Sequence, residues 1–433
     1  HKPPLIYVLF TLASHMGGLY LPFLKVINLL AGVATLWFVL KLIPLCLSKI
    51  THSHSSYRLF TLLSLILVGI VFGGTWIEAN IVNAESFFVP LVMMALWIYL
   101  RWGEIYPIRA IGLAGLIMGI ASLFKFHPLL DAFALGWLIS MTYFMKSDTH
   151  KVRLAIQYSL LYGLAVIMPL LLVSLYYLLL GHFQTFFESV VGFNFGYTQE
   201  FDVSHSLDRF LLGTFTGRLI IVGVGVILLT ALTVTRKIKV FWAFIILWFV
   251  VALFGAKLSG RPYAHYLMQA VFPTVVVMIS IFAILLYQQR TALGRRVLVA
   301  AMSALGLFYM VHGVFWQQDE AIWGYVDRSR YFSLGWAYFI EQAQAGFPIW
   351  QTTDPQTLLK LADSSPTAIA WDDLFFDDAE LMYELAILIQ TWSNPDETVF
   401  IWSQRPWVYH FAQVRNSSRY VVWFHINQQT VMD

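Results

Sequence analysis

Residues 86–101 read SFFVPLVMMALWIYLR, an apolar run that ends at Arg101. Runs of this kind recur along most of the chain, and roughly 20 apolar residues are needed for a helix to cross the hydrocarbon core of a bilayer. Of the 433 residues, 59% are hydrophobic and 12% are charged, whereas a soluble domain has about 25% charged residues. The sequence therefore predicts a mainly α, polytopic membrane protein.

Charge and cysteine content exclude two broad classes. The formal net charge of +3 is too small to indicate a nucleic-acid partner. A single cysteine, Cys46, leaves no partner for an intrachain disulfide. Membrane lipids are the surroundings that this composition favours.

Ten spans are predicted from the apolar runs. An eleventh apolar segment, residues 4–19, precedes them and is interpreted as an interfacial or re-entrant helix, which gives about 10–11 hydrophobic helices. The predicted spans are 21–46, 58–73, 86–101, 108–124, 128–145, 154–180, 218–235, 240–256, 266–287 and 296–316.

Basic residues predict which side of the membrane each loop occupies. Every strongly basic loop follows an odd-numbered span, and the positive-inside rule makes these loops cytoplasmic. The segments 74–85, 125–127, 181–217, 257–265 and everything after about 317 are then external. We expect a multi-pass protein of the plasma (inner) membrane. The basic residues that set this parity are Lys49, Arg58, Arg101, Arg109, Lys146, Lys151, Arg153, Arg236, Lys237, Lys239, Arg290, Arg295 and Arg296.

The tail has the polar content of a soluble domain. Residues 379–392, AELMYELAILIQTW, predict an amphipathic helix with Leu381, Leu385 and Leu388 on one face. Two segments, ETVFIWS and RYVVWFHI, predict strands. The expected organisation is a transmembrane domain over residues 1–316 and a small extracytoplasmic α/β domain over residues 317–433.

Two charged residues stand at predicted external span ends. Glu85 is interpreted either as a helix cap or as a carboxylate that binds a metal or takes a proton. Lys125, between two spans with hardly a loop, must either snorkel towards the interface or meet an anion.

The segment 259–273, SGRPYAHYLMQAVFP, concentrates cations at the start of the ninth span. Arg261 and His265 lie four residues apart and share a helix face if the helix begins near the proline. Such donors form an anion site suited to phosphate. The alternative is an aromatic and basic interfacial belt.

Three stretches together resemble a known family. HKPPLIYVLF at the start, NAESFFVPLVMMALWIYLR and SGRPYAHYLMQAVFP look like the polyprenyl-phosphate-sugar-dependent glycosyltransferases of the GT-C superfamily. The closest branch contains protein O-mannosyltransferases and the aminoarabinose transferase of lipid A. The resemblance implies a GT-C-like fold and an inverting transfer on the extracytoplasmic face. A polyprenyl-phosphate-linked sugar would be the donor, and a lipid, glycan or protein the acceptor.

The resemblance also implies roles for single residues. It places the lysine of Lys2-Pro3-Pro4 beside the donor phosphate on the external side, and makes Glu85 the default catalytic residue. A divalent metal is left open, with His1, Glu85 and His265 as its ligands. The family's usual acidic base precedes the Lys-Pro-Pro motif, so that base, a further span and the front of the first external loop are expected ahead of His1. The predicted contacts to the donor phosphate are Lys2, Lys125, Arg261, Tyr263 and His265.

Two other functions remain open at this point. A transporter or flippase of polyprenyl-linked sugars has ionisable groups near the bilayer midplane and often inverted repeats. The charges here are mostly at span ends and no repeat is visible, which disfavours transport. A catalytically incomplete membrane scaffold is the third class.

Overall fold

The computed structural model describes most of the first 288 residues and short parts of the tail. The described residues are mainly helical. They are 3–15, 20–50, 57–73, 82–146, 150–192, 215–256, 258, 264–288, 294, 354–364, 379–392, 398–399, 412 and 415–416.

A compact unit comprises residues 1–10 and 24–295. A single turn of 3₁₀ helix, Ala264–Leu267, leads directly into α11. The helices are α1 (Pro4–Ser14), α2 (Tyr20–Ile50), α3 (Tyr57–Gly73), α4 (Ala84–Trp102), α5 (Pro107–Ser122), α6 (Pro128–Phe144), α7 (Lys151–Leu179), α8 (Phe183–Phe187) with a π-helical turn (Glu188–Gly192), α9 (Phe215–Val234), α10 (Val240–Ala256) and α11 (Met268–Gln288).

Each predicted span that falls on described residues coincides with one of these helices. The prediction for residues 296–316 lies outside the described residues. Fewer helices are long and apolar enough to cross a membrane than the ten predicted. Five described segments meet that standard: Phe23–Ile50, Ala84–Trp102, Lys151–Leu179, Thr216–Val234 and His265–Leu286. Shorter apolar helices form the rest, at Pro4–Ser14, Tyr57–Phe72, Pro107–Ser122, Pro128–Phe144 and Val240–Ala256.

Close packing of α5 on α7 depends on two glycines of α5. A Cβ atom at Gly119 would lie 2.3 Å from the carbonyl oxygen of Val166, and one at Gly115 would lie 2.8 Å from that of Tyr162. The two glycines are four residues apart, the spacing that lets apolar helices approach each other closely. By contrast, a Cβ atom at Gly112, one turn earlier, would meet nothing within 4 Å.

The buried core lies between α4, α5, α6, α10 and α11, whereas α7 and α9 are mostly exposed. In its most apolar window α4 is 72% buried, but the corresponding part of α9 is 11% buried. Exposed residues of α9 include Val224, Ile227 and Leu228. An apolar helix surface of this kind suits contact with lipid.

The second unit comprises residues 11–23 and 296–433. Its described tail contains α12 (Pro355–Ser364) and α13 (Ala379–Trp392), which pack against each other. Asp354 caps α12 by accepting hydrogen bonds from the Thr357 amide at 3.0 Å and from its hydroxyl. Two dipeptides, β1 (Thr398–Val399) and β2 (Arg415–Asn416), pair in parallel. The described tail is otherwise helical, so it does not support the predicted α/β domain.

Helix α13 confirms the helix predicted over 379–392. Tyr383 and Ala386 are buried, whereas Leu388 is 48% exposed. Leu385 is half-buried. This helix is apolar around much of its circumference, and hydropathy alone does not choose between two neighbouring stripes of such a helix.

Candidate functional site

Three chain segments of the first unit meet in what we call the polar cluster. It comprises Glu85 from the first turn of α4, Lys125 and His127 from the turn between α5 and α6, and His265 and Tyr266 from the 3₁₀ turn before α11. All five lie at helix ends, next to helices that are apolar along their length.

A buried ion pair joins the first two segments of the cluster. The Lys125 ammonium donates to Glu85 Oε1 at 2.5 Å, and the two side chains are 12% and 3% exposed. Lys125 therefore meets an anion and does not rely on snorkelling. Asn83, at the N-cap of α4, makes no side-chain capping hydrogen bond. In this buried pair each charge compensates the other, so removing either partner would leave the other uncompensated.

Tyr266 lies against the Lys125 ammonium, and His265 lies beside Tyr266. The Lys125 Nζ atom lies 3.7 Å from the centroid of the Tyr266 ring, within the range of a cation–π contact. His265 meets the same ring edge-to-face, with centroids 4.7 Å apart. His265 also lies close enough to Glu85 for the two side chains to interact electrostatically. The lysine is thus held from two sides, by a carboxylate and by an aromatic face.

His127 lies in the same turn as Lys125, but its side chain has different surroundings. Its ring centroid is 5.9 Å from that of Tyr266. Both ring nitrogens are buried and have no hydrogen-bond partner in the described part of the chain, although carbon atoms leave the residue partly exposed. The main chain of Gly255 comes near the ring without reaching hydrogen-bond geometry. Burial, aided by the Lys125 charge, lowers the pKa of His127 to about 3. At neutral pH this imidazole is uncharged, with one donor and one acceptor nitrogen.

A second set of buried polar groups, which we call the Asp131 network, joins three helices next to the polar cluster. The Asp131 carboxylate, in the first turn of α6, accepts from Trp248 Nε1 of α10 at 2.7 Å and from Gln269 Nε2 of α11 at 2.6 Å. The same Gln269 amide also donates to the main-chain carbonyl of His127 at 3.2 Å. The network is therefore joined to the turn that carries Lys125 and His127.

Sequence reasoning did not assign His127, Asp131, Trp248 or Gln269. Asp131 had a usable signal, because an ionisable residue within an apolar span is a functional candidate by default. Gln269 lies inside the segment SGRPYAHYLMQAVFP that predicted an anion site, but its amide carries no charge and did not stand out.

Three predicted site residues, Glu85, Lys125 and His265, are brought together in the polar cluster. The other predicted residues, His1, Lys2, Arg261 and Tyr263, lie outside the described residues. Within the described ranges, no three His, Cys, Asp or Glu side chains are grouped in a way that would hold a metal ion. The predicted metal site includes His1 and stays a prediction.

A second ion pair lies near the other end of α4. Lys49, in the last turn of α2, donates to Glu104 Oε1 at 2.5 Å, with side chains 37% and 76% exposed. The hydrogen bond and charge of Lys49 lower the pKa of Glu104. This exposed pair has the same bond distance as the buried one and serves as its control.

Comparison of the chain with family models, with curated proteins and with solved structures gives no match in any of the three.

Proposed function

We propose that the chain is a GT-C-like membrane glycosyltransferase that moves a sugar from a polyprenyl phosphate to an acceptor on the extracytoplasmic face. The observation that carries the proposal is the buried Lys125 ammonium, held between Glu85 and Tyr266 at a helix end. An inverting transfer releases a lipid phosphate whose negative charge must be stabilised, and a cation held in place beforehand does this best.

Within this proposal, Lys125 contacts the donor phosphate and Glu85 positions Lys125. An ion-paired carboxylate is a weaker base than a free one, so the pairing favours positioning over proton abstraction for Glu85. The Glu85 charge also offsets that of Lys125. Further cations are therefore needed for the phosphate, and the predicted contacts Lys2, Arg261 and His265 are the candidates, with Tyr263 beside them.

The remaining features of the proposal come from the sequence. The basic loops favour an inner-membrane protein whose site and tail are extracytoplasmic. The acceptor is a lipid, a glycan or a protein. The expected tail is the small extracytoplasmic domain found in some members of the family that the sequence resembles.

One observation favours transport of the same lipid-linked sugar as a second candidate. Asp131 is a buried carboxylate in the first turn of an apolar helix, and the side chains that donate to it, Trp248 and Gln269, are both uncharged. Ionisable groups in such positions occur along the pathways of pumps and transporters.

The test is an incubation of the complete chain in proteoliposomes with a radiolabelled polyprenyl-phosphate mannose in the outer leaflet and a hydroxyl-bearing lipid acceptor. Label that becomes covalently attached to the acceptor supports the transferase. Label that changes leaflet without transfer supports the transporter. Label that does neither, for mannose, glucose and galactose donors alike, contradicts both.

A further inference from the structure

His127 is not used by the charge chemistry of the proposed function. Its two ring nitrogens are buried without a hydrogen-bond partner in the described chain. Leaving a buried polar group unsatisfied carries a substantial free-energy cost, so buried polar groups in folded proteins nearly always have partners. The two nitrogens therefore take their partners from outside the described chain, and a ligand that also contacts the neighbouring Lys125 would supply one.

The chemistry of the imidazole limits what that ligand group is. A neutral imidazole offers one N–H donor and one acceptor nitrogen. A phosphate diester oxygen only accepts, so it would leave the acceptor nitrogen unsatisfied. A hydroxyl group both donates and accepts, so a sugar hydroxyl can serve either nitrogen. The two nitrogens point away from each other, so each takes a separate partner.

The Asp131 network holds the His127 main chain in place. Gln269 Nε2 donates to the His127 carbonyl at 3.2 Å and to Asp131 Oδ2 at 2.6 Å. Trp248 fixes the other carboxylate oxygen at 2.7 Å. A Cβ atom at Gly255 would lie 2.9 Å from Gln269 Oε1, so the glycine allows the amide its position. Gln269 of α11 thus holds this carbonyl, and Asp131 of α6, itself bonded by Trp248 of α10, holds Gln269.

We propose that His127 binds a hydroxyl group of the sugar on the polyprenyl-phosphate donor, and that Asp131 and Gln269 position it. The inference rests on the proposed function and adds the substrate class, a sugar that keeps its hydroxyl at the contacted carbon. Lys125 then contacts the phosphate, and His127, two residues later, contacts the sugar. His127 is a specificity-determining residue, whereas Asp131 and Gln269 act through it.

The experiment measures binding of the complete chain in nanodiscs to three kinds of probe. These are polyprenyl-phosphate hexoses (mannose, glucose and galactose), their monodeoxy analogues, and polyprenyl phosphate without sugar. The variants are His127→Phe, which keeps a ring without nitrogens, and His127→Gln, which keeps a donor and an acceptor. The matched control is His150→Phe, at the start of α7.

Wild-type protein is expected to bind one monodeoxy analogue about 5- to 10-fold more weakly than its parent, the worth of one neutral hydrogen bond. His127→Phe should bind parent and analogue equally, His127→Gln should regain part of the difference, and His150→Phe should behave as wild type. Bare polyprenyl phosphate should bind wild type and His127→Phe equally.

The positioning role has its own readout. Asp131→Leu should lose the discrimination between parent and analogue while it binds bare polyprenyl phosphate as wild type does, and Asp131→Asn should keep part of it. A general loss of packing would weaken both probes together. Equal weakening of both probes in Asp131→Leu therefore contradicts positioning.

Four results overturn the inference. If His127→Phe keeps the full discrimination between parent and analogue, His127 does not contact the sugar, and the proposed function is unaffected. If wild type binds every deoxy analogue as tightly as its parent, no such contact exists, and the proposed function is again unaffected. A loss of bare polyprenyl phosphate equal to the loss of sugar donor in His127→Phe shows a phosphate contact. Failure of wild type to bind any probe overturns the inference and the proposed function together.

Discussion

The two ion pairs near the ends of α4 have the same chemistry and the same 2.5 Å bond, yet their surroundings differ. Glu85 and Lys125 are almost fully enclosed, whereas Glu104 and Lys49 are open to solvent. An exposed pair contributes about 0–1 kcal/mol because water screens its charges and competes for its hydrogen bonds. A buried pair is different, because losing one partner strands the other. Burial, not bond geometry, therefore marks Glu85–Lys125 as the functional candidate.

The largest expected difference between the two ion pairs is in stability, and it is measured by removing each lysine in turn. Lys125→Met should lower the free energy of unfolding by about 3–5 kcal/mol, because Glu85 is left buried and unpaired. Lys49→Met should lower it by no more than about 1 kcal/mol. Thermal unfolding in one detergent measures both. Equal losses of stability would contradict this expectation, because they would mean that water reaches Glu85 as freely as it reaches Glu104.

Removal of Asp131 extends the comparison to the network beneath the buried pair. Asp131→Ala should cost about 2–4 kcal/mol, because the Trp248 indole and the Gln269 amide each lose a buried acceptor. Asp131→Asn keeps one acceptor oxygen and should cost less. Denaturant titration of the two variants gives the order, and an alanine variant as stable as wild type would show that water replaces the carboxylate.

The close contact of α5 with α7 offers a smaller effect. Gly119→Ala should cost about 1–3 kcal/mol, because its Cβ atom would force the main chain of Val166 away. Gly112→Ala, which meets nothing within 4 Å, should be neutral or stabilise by up to about 1 kcal/mol. Thermal melts of the two variants that coincide would contradict the contact.

The smallest effect is the pH response of the exposed pair. Lys49 lowers the pKa of Glu104 in the folded state, so the pair's contribution is present above the ordinary value near 4.5 and is lost as pH falls through the lowered folded value. The loss should not exceed about 1 kcal/mol. Melting curves of wild type and Glu104→Gln should differ at pH 6 and draw together as the pH falls below the ordinary value. A difference that does not shrink as the pH is lowered would contradict the assignment.

Helix positions could be predicted from sequence because apolar length is a local property, and α4 illustrates this in both its start and its end. Which helices lie beside each other could not be predicted from sequence. Glu85 and Lys125 are 40 residues apart, and nothing in either local pattern says that α4 begins beside the turn after α5. For a related reason the sequence did not show that Tyr383 and Ala386 are buried residues of α13, since its partner α12 decides which stripe is buried. Asp131 was visible in the sequence as a carboxylate in an apolar run, but its partners on α10 and α11 were not.

The central claim is that the buried lysine–glutamate pair forms part of a phosphate site for a lipid-linked sugar. Its most direct test is the affinity of the complete chain for radiolabelled polyprenyl-phosphate mannose in the double variant Glu85→Gln/Lys125→Gln, which keeps a hydrogen-bonding pair without charge. Lys49→Gln/Glu104→Gln is the control. We predict at least a ~10-fold loss of affinity in the first variant, the worth of one charge-assisted hydrogen bond, and none in the second. A folded Glu85→Gln/Lys125→Gln protein that binds the donor as tightly as wild type would contradict the claim.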